Sequence, residues 1–219
     1  FGPAHRRLVP HIYTNEELQS LLDATDRLGP PGRLRPATCR TLFGLLAATG
    51  LRISEALKLT RTDVDLEAGV LDIRDTKCHQ HRFVPLHSSV TPHLQAYAQQ
   101  RDRLVPGPCC DRFFLRDDGR AINQPSMLYA LHQVCRQLGW QVRGDHAHHR
   151  LHDLRHTFIV RSVLRLYEQG DDVERGLSAL SIYVGHAKVI DTYWYLTGIP
   201  ELMAIAAERF HRYAQGEPT

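Results

Sequence analysis

The chain has 219 residues, 42% of them hydrophobic, enough for one large domain or two small ones. It holds no run of eighteen apolar residues, which excludes a membrane-spanning helix, and no secretory signal opens it. A formal charge of +3 says little by itself, so the distribution of charge has to carry that part of the reading.

Phe1-Gly2-Pro3 reads as a scar or a cut point, so the chain is expected to be a fragment of a longer protein. Residues 1–11 are then a tail, linker or expression remnant, and a single compact domain fills 12–219. Thr14-Asn15-Glu16-Glu17 has the form of a capping box, followed by Leu18, Leu21 and Leu22 at helical spacing, which predicts a helix over about 15–27. Gly29-Pro30-Pro31-Gly32 breaks the chain. A second helix is expected from about Ala37 to Thr49, with Gly50 as its stop. Ser54 can cap a short helix beginning at Glu55.

Val70-Leu71-Asp72-Ile73 and Arg82-Phe83-Val84-Pro85-Leu86 alternate as strands do, and Pro85 places the second near an edge. A short strand near Asp63–Asp65 would complete a small antiparallel sheet. Thr91-Pro92 and Gln124-Pro125 each open a helix, with proline suited to the first helical position. Further helices are expected around 153–167, 172–184, 189–196 and 200–214. The fold class is therefore α+β, mostly helical with a small three-stranded antiparallel sheet. The five cysteines (Cys39, Cys78, Cys109, Cys110, Cys135) are odd in number and lack framework spacing, which fits a reduced cytoplasmic setting.

Basic residues crowd two stretches: Arg33, Arg35, Arg40, Arg52, Lys58 and Arg61, then Arg143, Arg150, Arg155, Arg161 and Arg165. Such clusters can neutralise phosphates, although a solvated basic face has the same composition. Four histidines within His146-Ala147-His148-His149-Arg150-Leu151-His152, and Cys78-His79-Gln80-His81, raise the question of a transition metal. No cysteine or carboxylate stands at a recognisable partner spacing, so both are read as nucleic-acid-facing loops and no metal is expected.

Four short motifs then stand in order: Thr49-Gly50-Leu51-Arg52-Ile53-Ser54-Glu55, Lys77 in the hairpin turn, His152-Asp153-Leu154-Arg155-His156-Thr157, and Val184-Gly185-His186 with Tyr195 nine residues on. Together they resemble the tyrosine recombinase (phage integrase) family, over a stretch from about residue 12 to the end. The resemblance implies that family's catalytic-domain fold. It also implies cleavage and religation of DNA strands through a 3′-phosphotyrosyl intermediate, with neither ATP nor metal.

By that resemblance Arg52 and Arg155 clamp the scissile phosphate, which suits always-charged planar donors, and His186 adds a further donor. Tyr195 is the nucleophile, in preference to Tyr193 two residues before it. A phenol with a pKa of about 10 needs a base, for which His152 is the candidate; Lys77 is the candidate acid for the departing 5′-oxygen. Arg74 and Arg82 flank the same hairpin as Lys77. Glu55 would orient Arg52, and His156 would give structural support. Arg33, Arg35, Arg40, Arg143 and Arg150 are candidate DNA contacts.

The implied partner is double-stranded DNA at specific recombination sites, bound by a homo-oligomer in a tetrameric synapse, with integration, excision or transposition as the outcome. Family members usually carry an N-terminal helical clamp, which is expected to lie outside this chain. A catalytically silent DNA-binding regulator and a type IB topoisomerase are the alternatives. The intact set of six candidate catalytic residues argues against the first, and site preference would exclude the second.

Overall fold

A computed structural model describes residues 8–74, 81–169, 172–186 and 194–195. Helix α1 (Asn15–Ala24) opens with the expected capping box: Thr14 Oγ1 accepts from the Glu17 N–H at 3.2 Å, and Glu17 accepts from the Thr14 N–H at 2.9 Å. A 3₁₀ turn over Thr25–Arg27 ends it, so the single expected helix is an α-helix with a tightened last turn. Helix α2 (Leu34–Thr49) begins three residues earlier than its periodicity suggested and ends on Gly50 in the left-handed conformation. Its buried Leu42, Phe43, Leu45 and Leu46 make it the central element, packed against α4 (Thr91–Leu104) and α6 (Leu151–Gln169).

Between them, α3 (Ile53–Lys58) leads to β1 (Val64–Asp65), β2 (Val70–Ile73) and β3 (Arg82–Pro85) in a three-stranded antiparallel sheet of order β1-β2-β3. β3 is an edge strand, as Pro85 required. Helix α3 starts at Ile53 with Arg52, not Ser54, at its cap: the Glu55 carboxylate reaches back and accepts the Arg52 N–H at 3.1 Å. Helices α5 (Gln124–Gln137) and α7 (Val173–Val184) follow on either side of α6.

The core has two parts. The larger gathers α2, the inner face of the sheet, α4 and α5. The smaller joins Ile159, Val160 and Val163 of α6 to Leu177, Leu180 and Val184 of α7, and Tyr195 packs into it. Residues 9–13, read in part as a tail or linker, lie against the body of the domain: Val9 and Asp145 exchange backbone and side-chain bonds at 2.9 and 3.0 Å, and His11 and Tyr13 are buried. No helix among the described residues is long and apolar enough to cross a membrane. The expected helix at 200–214 and most of that at 189–196 lie outside the described residues.

Candidate active site

The site is organised by the C-terminal end of α7. A helix end leaves its last carbonyls without intrahelical donors and carries a partial negative charge, so cations settle there. Three arginines do so. Arg82 Nε donates to the Tyr183 carbonyl at 3.1 Å, Arg155 Nη2 to Val184 at 2.8 Å, and Arg52 Nη2 to Gly185 at 2.7 Å. They arrive from β3, α6 and the loop between α2 and α3, so one helix end collects motifs far apart in sequence. Gly185 turns left-handed with φ of 69°, and His186 follows, its backbone N–H closing onto Ser181 at 2.9 Å.

Arg155 lies at the bottom of this cluster, 2% exposed. Its Nη1 donates to the Gly50 carbonyl at 2.5 Å, so the left-handed stop of α2 and the end of α7 hold one guanidinium from two sides. Burial, and then the Arg52 charge, lower its pKa to about 10, against opposing contributions from Tyr195 and Glu55; it stays charged at neutral pH. Five N–H donors on a guanidinium leave capacity for an anion beyond these two bonds.

Glu55 is the counter-charge. It is 5% exposed and shared: Oε1 accepts from Arg52 Nη1 at 2.8 Å and from Arg82 Nη1 at 3.2 Å, and Oε2 from Arg82 Nη2 at 2.8 Å. Burial works against its ionisation, but bonds and charge from Arg82 and then Arg52 overcome this and hold the carboxyl below its ordinary range. Three guanidiniums against one carboxylate leave a positive surplus at the end of α7, a field that favours an anion.

Helix α6 supplies the rest. Asp153, fully buried, accepts the Arg150 N–H at 2.8 Å at the start of the helix and ties down the Arg150 guanidinium. Positions 152, 155 and 156 then share a face. The His152 and His156 rings meet edge to face, with centroids 4.6 Å apart. The Tyr195 hydroxyl lies 2.7 Å from Nδ1 of His156. Desolvation first, then Arg155, Arg150 and Arg52, lower His152 to about 4; its ring remains open to water, which screens part of this, but the downward direction leaves it neutral at pH 7. Burial first, then His152 and the arginines, take His156 to about 2.

Arg52, Glu55, His152, Arg155, His156, His186 and Tyr195 are thus brought together on α6 and around the end of α7, while Lys77 and Tyr193 lie outside the described residues. Arg82, read as a hairpin-flanking residue, is part of the cluster. Among the candidate DNA contacts, Arg35 is bonded to Gln133, Arg40 to Asp23, Arg143 to Glu17 and Arg150 to Asp153, whereas Arg33 stands exposed before α2. The histidine-rich loop does not face outward throughout. His149 is buried, its Nδ1 3.2 Å from the Tyr13 hydroxyl.

The phage integrase family model matches residues 12–198. Sinorhizobium fredii y4rB, named for integrase/recombinase activity, is 39% identical over 213 residues, covering 94% of this chain and 67% of its own length. The tyrosine recombinase XerA of Thermococcus kodakarensis is 28% identical, over 94% of this chain and 65% of its own. Among solved structures, the XerH site-specific recombinase in a post-cleavage complex with its difH substrate superposes with a TM-score of 0.68 at 24% identity, over 93% of this chain and 54% of that one. The chain therefore spans about two thirds of the length of these curated relatives and about half of XerH.

Proposed function

The chain belongs to the phage integrase family, and on that premise we propose that it cuts and rejoins DNA at specific sites through a covalent bond between phosphate and Tyr195. The observation that carries this reading is the convergence, within one chain, of the Tyr195 phenol and the Arg52–Arg155 pair.

In the proposed reaction the Tyr195 oxygen attacks the scissile phosphorus, the bond to the 5′-oxygen breaks, and the 3′-phosphate is left esterified to the tyrosine. Arg52 and Arg155, with His186, meet the charge that grows on the non-bridging oxygens; fixed donors of this kind contribute about 10²–10³ in rate each. The phenolic proton passes to the histidine pair, whose basicity, depressed by burial and by the arginines, rises once a bound phosphate offsets those charges: His156 already touches the hydroxyl, and His152 stands beside it. Lys77 supplies the proton for the leaving 5′-hydroxyl. Attack by a 5′-hydroxyl reverses every step, so the ester keeps the energy needed for resealing and no ATP is spent.

The partner is double-stranded DNA carrying a specific recombination site, engaged by several copies of the chain in a tetrameric synapse, in the cytoplasm. The test is a duplex nicked close to the cleavage position, which lets the short 5′-product diffuse away and leaves the covalent adduct trapped. Adduct mapped to Tyr195 on a preferred sequence supports the reading. Tight DNA binding without any adduct would return the protein to the class of silent regulators, and relaxation of supercoils without site preference would favour a topoisomerase.

A further inference from the structure

We propose that Arg82 is a positioning residue of the cleavage site, setting Arg52 and the Gly185–His186 turn in place without touching DNA itself; this rests on the strand-cleavage reading above. Its guanidinium is spent on the protein. Nη1 and Nη2 fork onto the two oxygens of Glu55 at 3.2 and 2.8 Å, Nε donates to the Tyr183 carbonyl at 3.1 Å, and Nη2 approaches the Val184 carbonyl at 3.5 Å. The side chain is 10% exposed, so little of it is open to a phosphate.

Two consequences follow from that geometry. First, Glu55 is the residue that orients Arg52, through its side chain at 2.8 Å and its backbone N–H at 3.1 Å. Arg82 supplies the opposite half of the carboxylate's bonds, so without it Glu55 is free to turn and to pair more fully with Arg52, drawing that guanidinium and its charge away from a phosphate. Second, Arg82 ties strand β3 to the end of α7, reinforced by the Tyr183 hydroxyl donating to the Pro85 carbonyl at 3.1 Å. Residue 185 is accordingly glycine for a packing reason as well as for its φ of +69°: a Cβ there would lie 2.7 Å from Arg82 Nη1. A lysine could not make this bridge, because a point charge cannot fork onto a carboxylate while its stem donates to a carbonyl.

The test measures, on the full chain, single-turnover cleavage of a nicked duplex at saturating DNA, the DNA affinity at several salt concentrations, and the melting temperature. R82Q is expected to bind DNA with the wild-type salt slope and to cleave about 10–100-fold more slowly, the usual penalty for a small misplacement of catalytic groups. R82K keeps the charge and guards against loss of folding by R82Q; it is expected to show the same split, with little rescue. R82Q in an E55Q background should add little further loss, because both act on Arg52 through the same carboxylate. Wild-type cleavage rates in R82Q or R82K would overturn the proposal. So would a salt slope lowered by about one, which marks a lost phosphate contact. If the wild-type chain itself forms no adduct, the cleavage reading falls and this inference with it; a wild-type adduct matched by R82Q sinks the positioning role alone.

Discussion

The hydroxyl of Tyr195 lies 2.7 Å from Nδ1 of His156, a residue for which the family resemblance implies structural support. A histidine held near pKa 2 is neutral at physiological pH, so its ring can accept the phenolic hydrogen bond. Tyr195→Phe is therefore expected to bind DNA normally and to form no adduct. His156→Ala should retain DNA binding and lose about 10–100-fold in cleavage, the scale of a proton-transfer partner. Unchanged cleavage by His156→Ala would return the base to His152 alone.

The buried Arg155 couples cleavage to the end of α2. Arg155→Ala should lower adduct formation by at least about 10²-fold. Arg155→Lys should rescue little, because one ammonium cannot span the Gly50 and Val184 carbonyls as the guanidinium does at 2.5 and 2.8 Å. A single-turnover assay of both variants decides this: wild-type rates in Arg155→Ala would remove residue 155 from the phosphate clamp, and wild-type rates in Arg155→Lys would show that the forked guanidinium is not required.

Gly50 links this arginine to packing. Its φ of +63° disfavours any side chain, and a Cβ would stand 2.4 Å from Cδ1 of Phe158. Gly50→Ala should cost about 1–3 kcal/mol in denaturant unfolding, with part of the loss recovered when Phe158 is also trimmed to leucine. Full stability in Gly50→Ala would contradict this.

Most elements were legible in the chain because their signals are local: the capping box at Thr14, the glycine stop at Gly50, the alternation around Leu71 and Val84. Arg52, Arg155 and Tyr195 were legible because whole motifs carry them. Arg82 was not, since its value comes from carbonyls 101 and 102 residues away that only the folded end of α7 presents. The ion pairs of the cationic clusters were not legible for the same reason. Proximity in sequence cannot show that Arg143 turns back onto Glu17, 126 residues away, or that Arg40 is held by Asp23. Residues 9–13 lack a repeating pattern, and their partners lie in the loop before α6 and on α6 itself.

That distinction among arginines is measurable. Replacing the exposed Arg33 with glutamine should weaken DNA binding and reduce the salt slope by about one, as loss of a phosphate contact does. Arg143→Gln should leave the slope unchanged, because its guanidinium is committed to Glu17 at 2.6 Å and to the Ile12 carbonyl at 2.8 Å. Affinity titrations between about 50 and 200 mM salt separate the two. The reverse pattern would mean that the Arg143 pair opens onto DNA.

His11 is buried against His149 with ring centroids 4.5 Å apart, and Nε2 of each ring is buried without a hydrogen-bond partner. Burial first, then the neighbouring His149 and Arg143, lower His11 from 6.5 to about 4, and burial lowers His149 as well. Between those values the unfolded chain binds a proton that the folded chain refuses, so unfolding becomes easier as pH falls from about 6.5 toward 4 and stability is full above that window. Carboxylates contribute mainly at lower pH, which leaves the range from about 7 to 5 to the histidines. His11→Asn keeps an acceptor for the Arg143 N–H, now 3.1 Å from Nδ1, but does not titrate. It should therefore flatten the slope of unfolding free energy in that range by up to about 1.4 kcal/mol per pH unit, the limit for one proton. Equal slopes for the variant and the wild type, followed by denaturant titration at several pH values, would show that His11 accepts its proton without opening the segment.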